Sequence, residues 1–394
     1  MLYWFILWRE FKLSISEIYN IFPENNFLYF SKEILILEEK NKEKILEFAP
    51  KIWWTIKIIE LEEIENENNF LEKIENFPKK IWKKFHYSIN IFPQNNSLLK
   101  NFLTKSKKIF KQKNISARFV NKTNSNLSSA QILGNNLLKK WWDFNFIKIE
   151  KKFFFWKTIY VQDIESYSKR DFWKNRDMQV GMLPVKLSQI MINLSREKNK
   201  NIKNIYDPFV WLATILIEWI LMWIKKIFWS DFSVKMVETS IKNLEQLKKQ
   251  SKSFEYKIFE FDAKDMQEND LLKKENITNI VSEGFLWEIM TKKNISIDRI
   301  NIQRKNLKKL YEKFFSWLQK QNFSWIIVIS FPFWELEKKY IFFEEIYEIL
   351  NKYCEVLDLL PKNIKFTTTK TWSLLYKRPS QLVWREIFKL KIKI

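Results

Sequence analysis

The chain has 394 residues, enough for two or three domains with substantial cores, and a formal net charge of +22. Its single Cys, Cys354, and single His, His86, exclude an internal disulfide, a cysteine-built zinc cluster and a His-rich metal site, and point to a reducing, cytoplasmic setting. The charge favours a polyanionic partner, nucleic acid first, although abundant Lys, Asn, Ile and Phe spread part of that basicity over solvated faces.

The opening "MLYWFILWREFKLSISEIYNIF" lacks the basic n-region and small-residue cleavage site of a signal peptide. It reads as a strand, "LYWFILW", and a helix, "SISEIYNIF", with Ser14 as N-cap, followed by "FLYFSKEILILEE". These make an α+β domain over residues 1–75. Residues 76–150 read as a second, basic unit: strand "KKFHYSINIF", helix "LKNFLTKSKKIFKQKN", strand "ISARFVNK" and helix "SSAQILGNNLLKK". There the apolar period switches from two to about 3.6 and back, as in a small α+β module. Residues 151–180 are expected to form a polar connector. From 181 to 394 the strands "IYDPF", "KIFWSDF", "FEYKIFEFDA", "NIVSEGF" and "SWIIVISFP" alternate with helical stretches, which implies a parallel sheet covered on both faces. A terminal hairpin, "WSLLYKRPSQLVWREIFKLKI", turns at Arg378 to Ser380. The apolar run Phe209–Ile224 is shorter than the ~20 residues of a bilayer span and contains Glu218, so a buried helix is expected there.

Nineteen Trp against three Gly invert ordinary usage. Trp stands where turn chemistry calls for Gly, in "KIWWTIKI", "FFFWKTIYVQD" and "KKIFWSDFS". The expectation is that most of these Trp are glycine in the native protein, their UGA codons having been read as Trp. Trp334 and one of Trp141 and Trp142 suit genuine tryptophan. Trp219 and Trp223 suit either an aromatic core stripe or, for Trp223 before "IKKIF", a helix-stopping glycine.

Four segments carry chemistry. "DPFVWLAT" places Asp207 at a strand end, followed by a tight turn and a helix opening near Thr214. A carboxylate there can take an ammonium group, and a glycine turn would let backbone N–H groups approach a ligand. "FWSDF" places Asp231 at the next strand end, where it can bond two ribose hydroxyls or serve as a helix N-cap. "FDA" offers Asp262 and Ala263 at the third. "VSEGFLWE" ends the fourth strand, where Glu283 could accept from an amine and Phe285 could stack on a base, a contact worth ~1–3 kcal/mol.

In that order the segments resemble class I S-adenosylmethionine-dependent methyltransferases. With Trp read as Gly, the whole chain resembles the THUMP-type tRNA guanine-N2 methyltransferase family. "FILWREFKLSISEIY" looks like the family's opening, "KIWWTIKI" like its Gly-Gly-Thr-Ile-Lys strand, and "ISARFV" with "LSSAQILGNNLLKKW" like the THUMP unit. "VQDIESYSKRDFWKNRDMQVGMLPVKLSQIMINL" is similar to its connector and first catalytic-domain helix. The resemblance implies a Rossmann-like doubly wound sheet with a C-terminal β-hairpin, preceded by a THUMP-like RNA-binding region. It implies S-adenosyl-L-methionine held by Asp207, Phe209, Trp211, Asp231, Asp262 and Ala263, with Glu283 and Phe285 on the acceptor side. Arg118, Arg170 and Lys186, with Asp171, would line the approach of tRNA; neither metal nor membrane is required. Two departures stand out: Ala213 replaces the second glycine of the cofactor loop, and "SEGFL" lacks the two prolines and the Asp/Asn usual in an acceptor loop. The expected function is N2-methylation of a guanine in tRNA. The alternatives are an RNA-binding protein with a degenerate methyltransferase domain and a DNA methyltransferase. His86 and Cys354 are expected to be structural.

Overall fold

The computed structural model describes residues 1–23, 26–53, 55–76, 84–121, 125–165, 183–197, 202–222, 226–231, 233–250, 254–258, 271–286, 290–291, 293–362, 366, 368–378 and 381–393. The chain divides into two compact units, Met1–Phe11 with Glu24–Ser168, and Lys12–Pro23 with Lys169–Ile394. Helix α1 (Phe11–Ile21) therefore belongs almost wholly to the second unit, although its chain neighbours on both sides lie in the first.

The first unit is built on β1 (Leu2–Leu7), β2 (Asn26–Phe30), β3 (Ile34–Glu38), β4 (Thr55–Ile64), β5 (Lys84–Phe92), β6 (Ser116–Phe119), β7 (Trp142–Ile149) and β8 (Lys152–Val161). They form one sheet in the order β2-β3-β1-β4-β8-β7-β5-β6. The stretch expected to open a connector at 151 instead carries β8, which pairs with β4 on one side and β7 on the other. Its run of aromatic and β-branched residues, "KFFFWKTIYV", suits such a central strand. This strand joins the halves expected to be separate domains on either side of residue 75 into one sheet.

The described residues of the unit also form α2 (Lys42–Phe48), followed by a 3-10 turn at Ala49–Lys51, α3 (Glu67–Asn76), α4 (Asn96–Gln112) and α5 (Ser129–Gly134). Asn95 caps α4 by accepting from the Leu98 amide, and Leu99, Phe102, Leu103, Ser106 and Phe110 form its buried stripe. Phe70 of α3 stacks on Phe102 at 4.7 Å, in a core where each large side chain contributes roughly 1.5–3 kcal/mol by burial. A reciprocal Ser128–Gln131 capping box starts α5. The helix ends at Gly134, earlier than its sequence pattern suggests, and Asn136 adopts φ +59° just beyond.

The second unit contains β9 (Ile205–Asp207), β10 (Lys226–Trp229), β11 (Glu255–Ile258), β12 (Asn279–Ser282), β13 (Ile326–Leu336), β14 (Lys339–Phe342), β15 (Cys354–Val356), β16 (Leu374–Tyr376) and β17 (Val383–Ile392). The sheet order is β11-β10-β9-β12-β13-β17-β15, with β14 on β13 and β16 on β17. Neighbours from β11 to β13 run parallel, while β17 is antiparallel to β13, β15 and β16. The helices are α6 (Val185–Leu194), α7 (Thr214–Met222), α8 (Val234–Gln250), α9 (Leu271–Lys274), α10 (Ile297–Lys320) and α11 (Glu345–Tyr353). The chain winds outward from β9 to β11, then returns to β12 and winds the other way. Right-handed crossovers consequently put helices on opposite faces, and α6 packs on α7 while α10 packs on α11. This is the doubly wound arrangement that the strand alternation implies, closed by the expected hairpin, in which Tyr376 faces Arg385.

Helix α1 starts at Phe11, so Ser14 lies inside the helix and is buried rather than capping it. The Glu17 carboxylate accepts from Asn193 Nδ2 of α6 at 2.7 Å, and Ser16 donates to the Leu359 carbonyl. Helix α7 spans nine residues with Glu218 fully buried, and among the described residues no helix is long and apolar enough to cross a membrane.

Candidate functional site

Strand order reverses between β9 and β12, and the carboxyl ends of parallel strands at such a point flank a ligand-binding crevice. The sequence puts a carboxylate at the end of both β9 and β10. Asp207 closes β9, buried to 2% exposure; its Oδ1 accepts from Ser282 Oγ of β12 at 2.6 Å and from the Phe209 amide at 3.1 Å. Asp231 follows β10 and clamps two loops. Its Oδ2 accepts the Trp211 amide at 3.1 Å and its Oδ1 the Ser233 amide at 2.9 Å, just before α8 begins. Asp231 thus ties the β9–α7 turn to the segment that leads into α8.

That turn departs from ordinary backbone twice, with φ +49° at Trp211 and +61° at Ala213. The Trp211 indole lies over the Phe285 ring with centroids 5.6 Å apart at 22°, and its Nε1 donates to the Gly284 carbonyl at 3.3 Å. It closes the crevice. The residual cavity, lined by Leu183, Asp207, Phe209, Trp211, Thr214, Glu283 and their neighbours, measures about 10 Å³, room for about one water.

The loop after β12 is shaped by Gly284, at φ +73°. A Cβ there would lie 2.3 Å from the Ser330 carbonyl oxygen, so only glycine fits. Ser330 Oγ donates to the Glu283 carbonyl at 2.6 Å. The Phe285 amide donates to Tyr311 Oη at 2.7 Å, and that hydroxyl in turn donates to the Phe285 carbonyl. Phe285 also stacks on Phe209 at 6.4 Å. Glu283 is buried, and its Oε1 receives both Nε and Nη2 of Arg385 at 2.5 Å. Gln381 braces Arg385 through Nη1 at 3.4 Å.

Burial pushes the Asp207 carboxyl up to about 7, against the hydrogen bonds from Ser282 and Phe209, and the nearby charges of Asp231 and Glu283 add to the rise. Burial likewise raises Glu283, opposed by the Arg385 guanidinium. A cationic ligand group at Asp207 would relieve that strain. With the Trp211 indole in place, the cavity between Asp207 and Glu283 has room for only about one water-sized group.

Five expected residues thus meet around one crevice: Asp207, Phe209, Trp211, Glu283 and Phe285, with Asp231 bonded to its turn. Asp262, Ala263, Arg170 and Asp171 lie outside the described residues. Arg118 is exposed on β6, an edge strand of the first unit, and Lys186 is half-buried in the first turn of α6. His86 stacks on Trp141 at 4.9 Å, and Cys354 is buried. Among the described residues no cluster of His, Cys, Asp and Glu could hold a metal. Sequence reasoning missed Ser282, Tyr311, Ser330 and the pairing of Arg385 with Glu283. The scarcity of Arg, nine among 68 basic residues, was the one available signal for the last.

No family model matches the chain, and no curated protein matches its sequence. Solved structures resemble it at low identity. TrmN from Thermus thermophilus is 10% identical over all of both chains, with TM-score 0.44. A possible methylase from Clostridium difficile is 11% identical over all of this chain and 98% of that one, with TM-score 0.43. TYW2 from P. horikoshii is 13% identical over 67% of this chain and 80% of that one, with TM-score 0.33. At such scores the strand order carries the fold assignment and the site must carry the chemistry.

Proposed function

We propose that the chain is an S-adenosyl-L-methionine-dependent RNA methyltransferase that transfers a methyl group to the exocyclic N2 of a guanine in tRNA. The observation that carries the reading is the convergence of Asp207, the Trp211 turn, Asp231 and the Glu283–Phe285 loop on one crevice at the switch point of a doubly wound sheet. Asp207 would take the cofactor's ammonium and Asp231 its ribose, with Asp262 and Ala263 at the adenine. In the chain as written the Trp211 indole fills the space the methionine end needs, so the reading requires a smaller residue at 211.

On the acceptor side Phe285 would stack the extruded base while Glu283, held by Arg385, accepts a hydrogen bond from its amine. The bound cofactor would supply a methyl group from its sulfonium and leave as the neutral thioether, and the proton lost by the amine would pass to the Glu283 carboxylate. Rate enhancement would come from alignment and exclusion of water. The first unit, bearing Arg118, would grip tRNA by phosphate contacts and shape, with Arg170 and Lys186 along the approach. A cytoplasmic setting goes with this substrate.

The second reading, an RNA-binding protein whose catalytic domain no longer reacts, is favoured by one observation: the Glu283 carboxylate is already tied to Arg385. Labelled cofactor mixed with unmodified tRNA or duplex DNA separates the possibilities. Label in a guanosine of tRNA supports the proposal. Retention of tRNA without label supports the second reading, and label in DNA would make the chain a DNA methyltransferase.

A further inference from the structure

We propose that the native chain carries glycine, not tryptophan, at positions 211 and 372, because the source organism decodes UGA as glycine. At position 211 the inference deepens the methyltransferase reading and rests on it for its functional meaning; at position 372 it stands on backbone geometry alone.

Among the described residues other than glycine with positive φ, four are Asn, which tolerates that region; Glu150, Ala213, Glu337 and Lys338 share it, and the aromatic ones are Trp211 at +49° and Trp372 at +65°. Left-handed backbone costs a residue with a Cβ roughly 1–2 kcal/mol. Packing offers no offset at Trp372, which is 56% exposed at a turn where its amide donates to the Thr369 carbonyl. At Trp211 the indole is better packed, but it occupies the crevice that the surrounding carboxylates define, leaving about 10 Å³.

The indole N–H groups add an independent observation. Trp4, Trp219, Trp229 and Trp334 are buried with no hydrogen-bond acceptor for Nε1 among the described residues. A buried donor without an acceptor costs about 1–3 kcal/mol, and tryptophan is normally placed where its N–H finds a partner. Trp156 and Trp384 behave in that ordinary way, donating to Glu60 Oε2 at 3.2 Å and to the Gln381 carbonyl at 2.7 Å. The unserved set bears on positions 4, 219, 229 and 334, whereas Trp211 donates to the Gly284 carbonyl and is served as tryptophan. Trp334, expected to be genuine, falls in the unserved set, and Trp156, expected to be glycine, in the served one. Nineteen Trp beside three Gly is the composition that wholesale misreading of one glycine codon would produce.

The codons test this without any folding requirement, and tandem mass spectrometry of the native peptide between Lys203 and Lys225 reads the residue directly. The expected result is UGA at 211 and 372 with glycine in the peptide; UGG at both overturns the proposal. Calorimetry with S-adenosylhomocysteine separates the recoding from the function. The glycine-bearing chain should bind at least ~100-fold more tightly than the Trp211 chain, about 2.7 kcal/mol. UGA with glycine in the peptide, but no binding by the glycine-bearing chain, would sustain the recoding and remove the methyltransferase reading. UGG together with tight binding by the Trp211 chain would do the reverse.

Discussion

Each unit buries an ion pair, and the two pairs are built for different ends. In the first, Asp143 of β7 meets Lys57 of β4 at 2.9 Å and also accepts from Ser88, Asn90 and Thr158, so both carboxylate oxygens are saturated by donors inside the sheet. In the second, Glu283 gives Oε1 to Arg385, meets no donor at Oε2 among the described residues, and lines a cavity. A buried charge held from all sides fixes a structure. One held from a single side keeps an acceptor available for a ligand.

Removing the saturated carboxylate should have the largest effect. Asp143→Ala leaves Lys57 buried without its counter-charge, and denaturant unfolding should show a loss of about 3–5 kcal/mol. If the loss is under ~1 kcal/mol, the contrast between the two pairs disappears.

The raised carboxyl of Asp207 comes next. Its folded value of about 7 exceeds the ordinary 3.8, so folding favours the protonated form. Stability is greatest below 3.8, falls as pH rises through the window, and levels off above about 7, by ~4 kcal/mol at most. Asp207→Asn should flatten that slope in chemical-denaturation curves taken across the window. An ammonium ligand needs the ionised carboxylate, so S-adenosylhomocysteine affinity of the glycine-bearing chain should climb with pH through about 7 in the parent and stay level in Asp207→Asn.

Glu283→Gln sharpens the comparison from the other side. Methyl transfer should fall about 100-fold, near 2.7 kcal/mol of transition-state stabilisation, while unfolding changes by about 1–3 kcal/mol, because the Gln oxygen still accepts from the buried Arg385 guanidinium. An unfolding cost as large as that of Asp143→Ala, with transfer unchanged, would make the Arg385 pair purely structural. The smallest effect is expected from Tyr311→Phe. It removes the hydroxyl that accepts from the Phe285 amide and should cost about 1 kcal/mol with a modest rise in KM for RNA.

Much of this was legible before any coordinates. Asp207 and Asp231 are local signals, each a carboxylate at the end of an apolar strand, and the alternation after residue 181 dictates the doubly wound sheet. The aromatic run of β8 was also visible, but its two partners, β4 and β7, are distant in sequence, so the polar residues that follow it gave a false connector. The separation of 102 positions between Glu283 and Arg385 explains the missed pairing. Only the return of β17 beside β13 brings the guanidinium to the acceptor loop, and nothing local marks that contact. Trp211 is the reverse case. Composition had already marked it as anomalous, and the left-handed backbone and filled crevice supply the physical reason.

The most direct measurement of the central claim is transfer of label from S-adenosyl-L-methionine to an unmodified tRNA transcript above pH 7, using the chain made with glycine at positions 211 and 372 and reading the product as nucleosides. The account predicts a single methylated guanosine, lost in Glu283→Gln. Firm tRNA binding with no labelled nucleoside would contradict it.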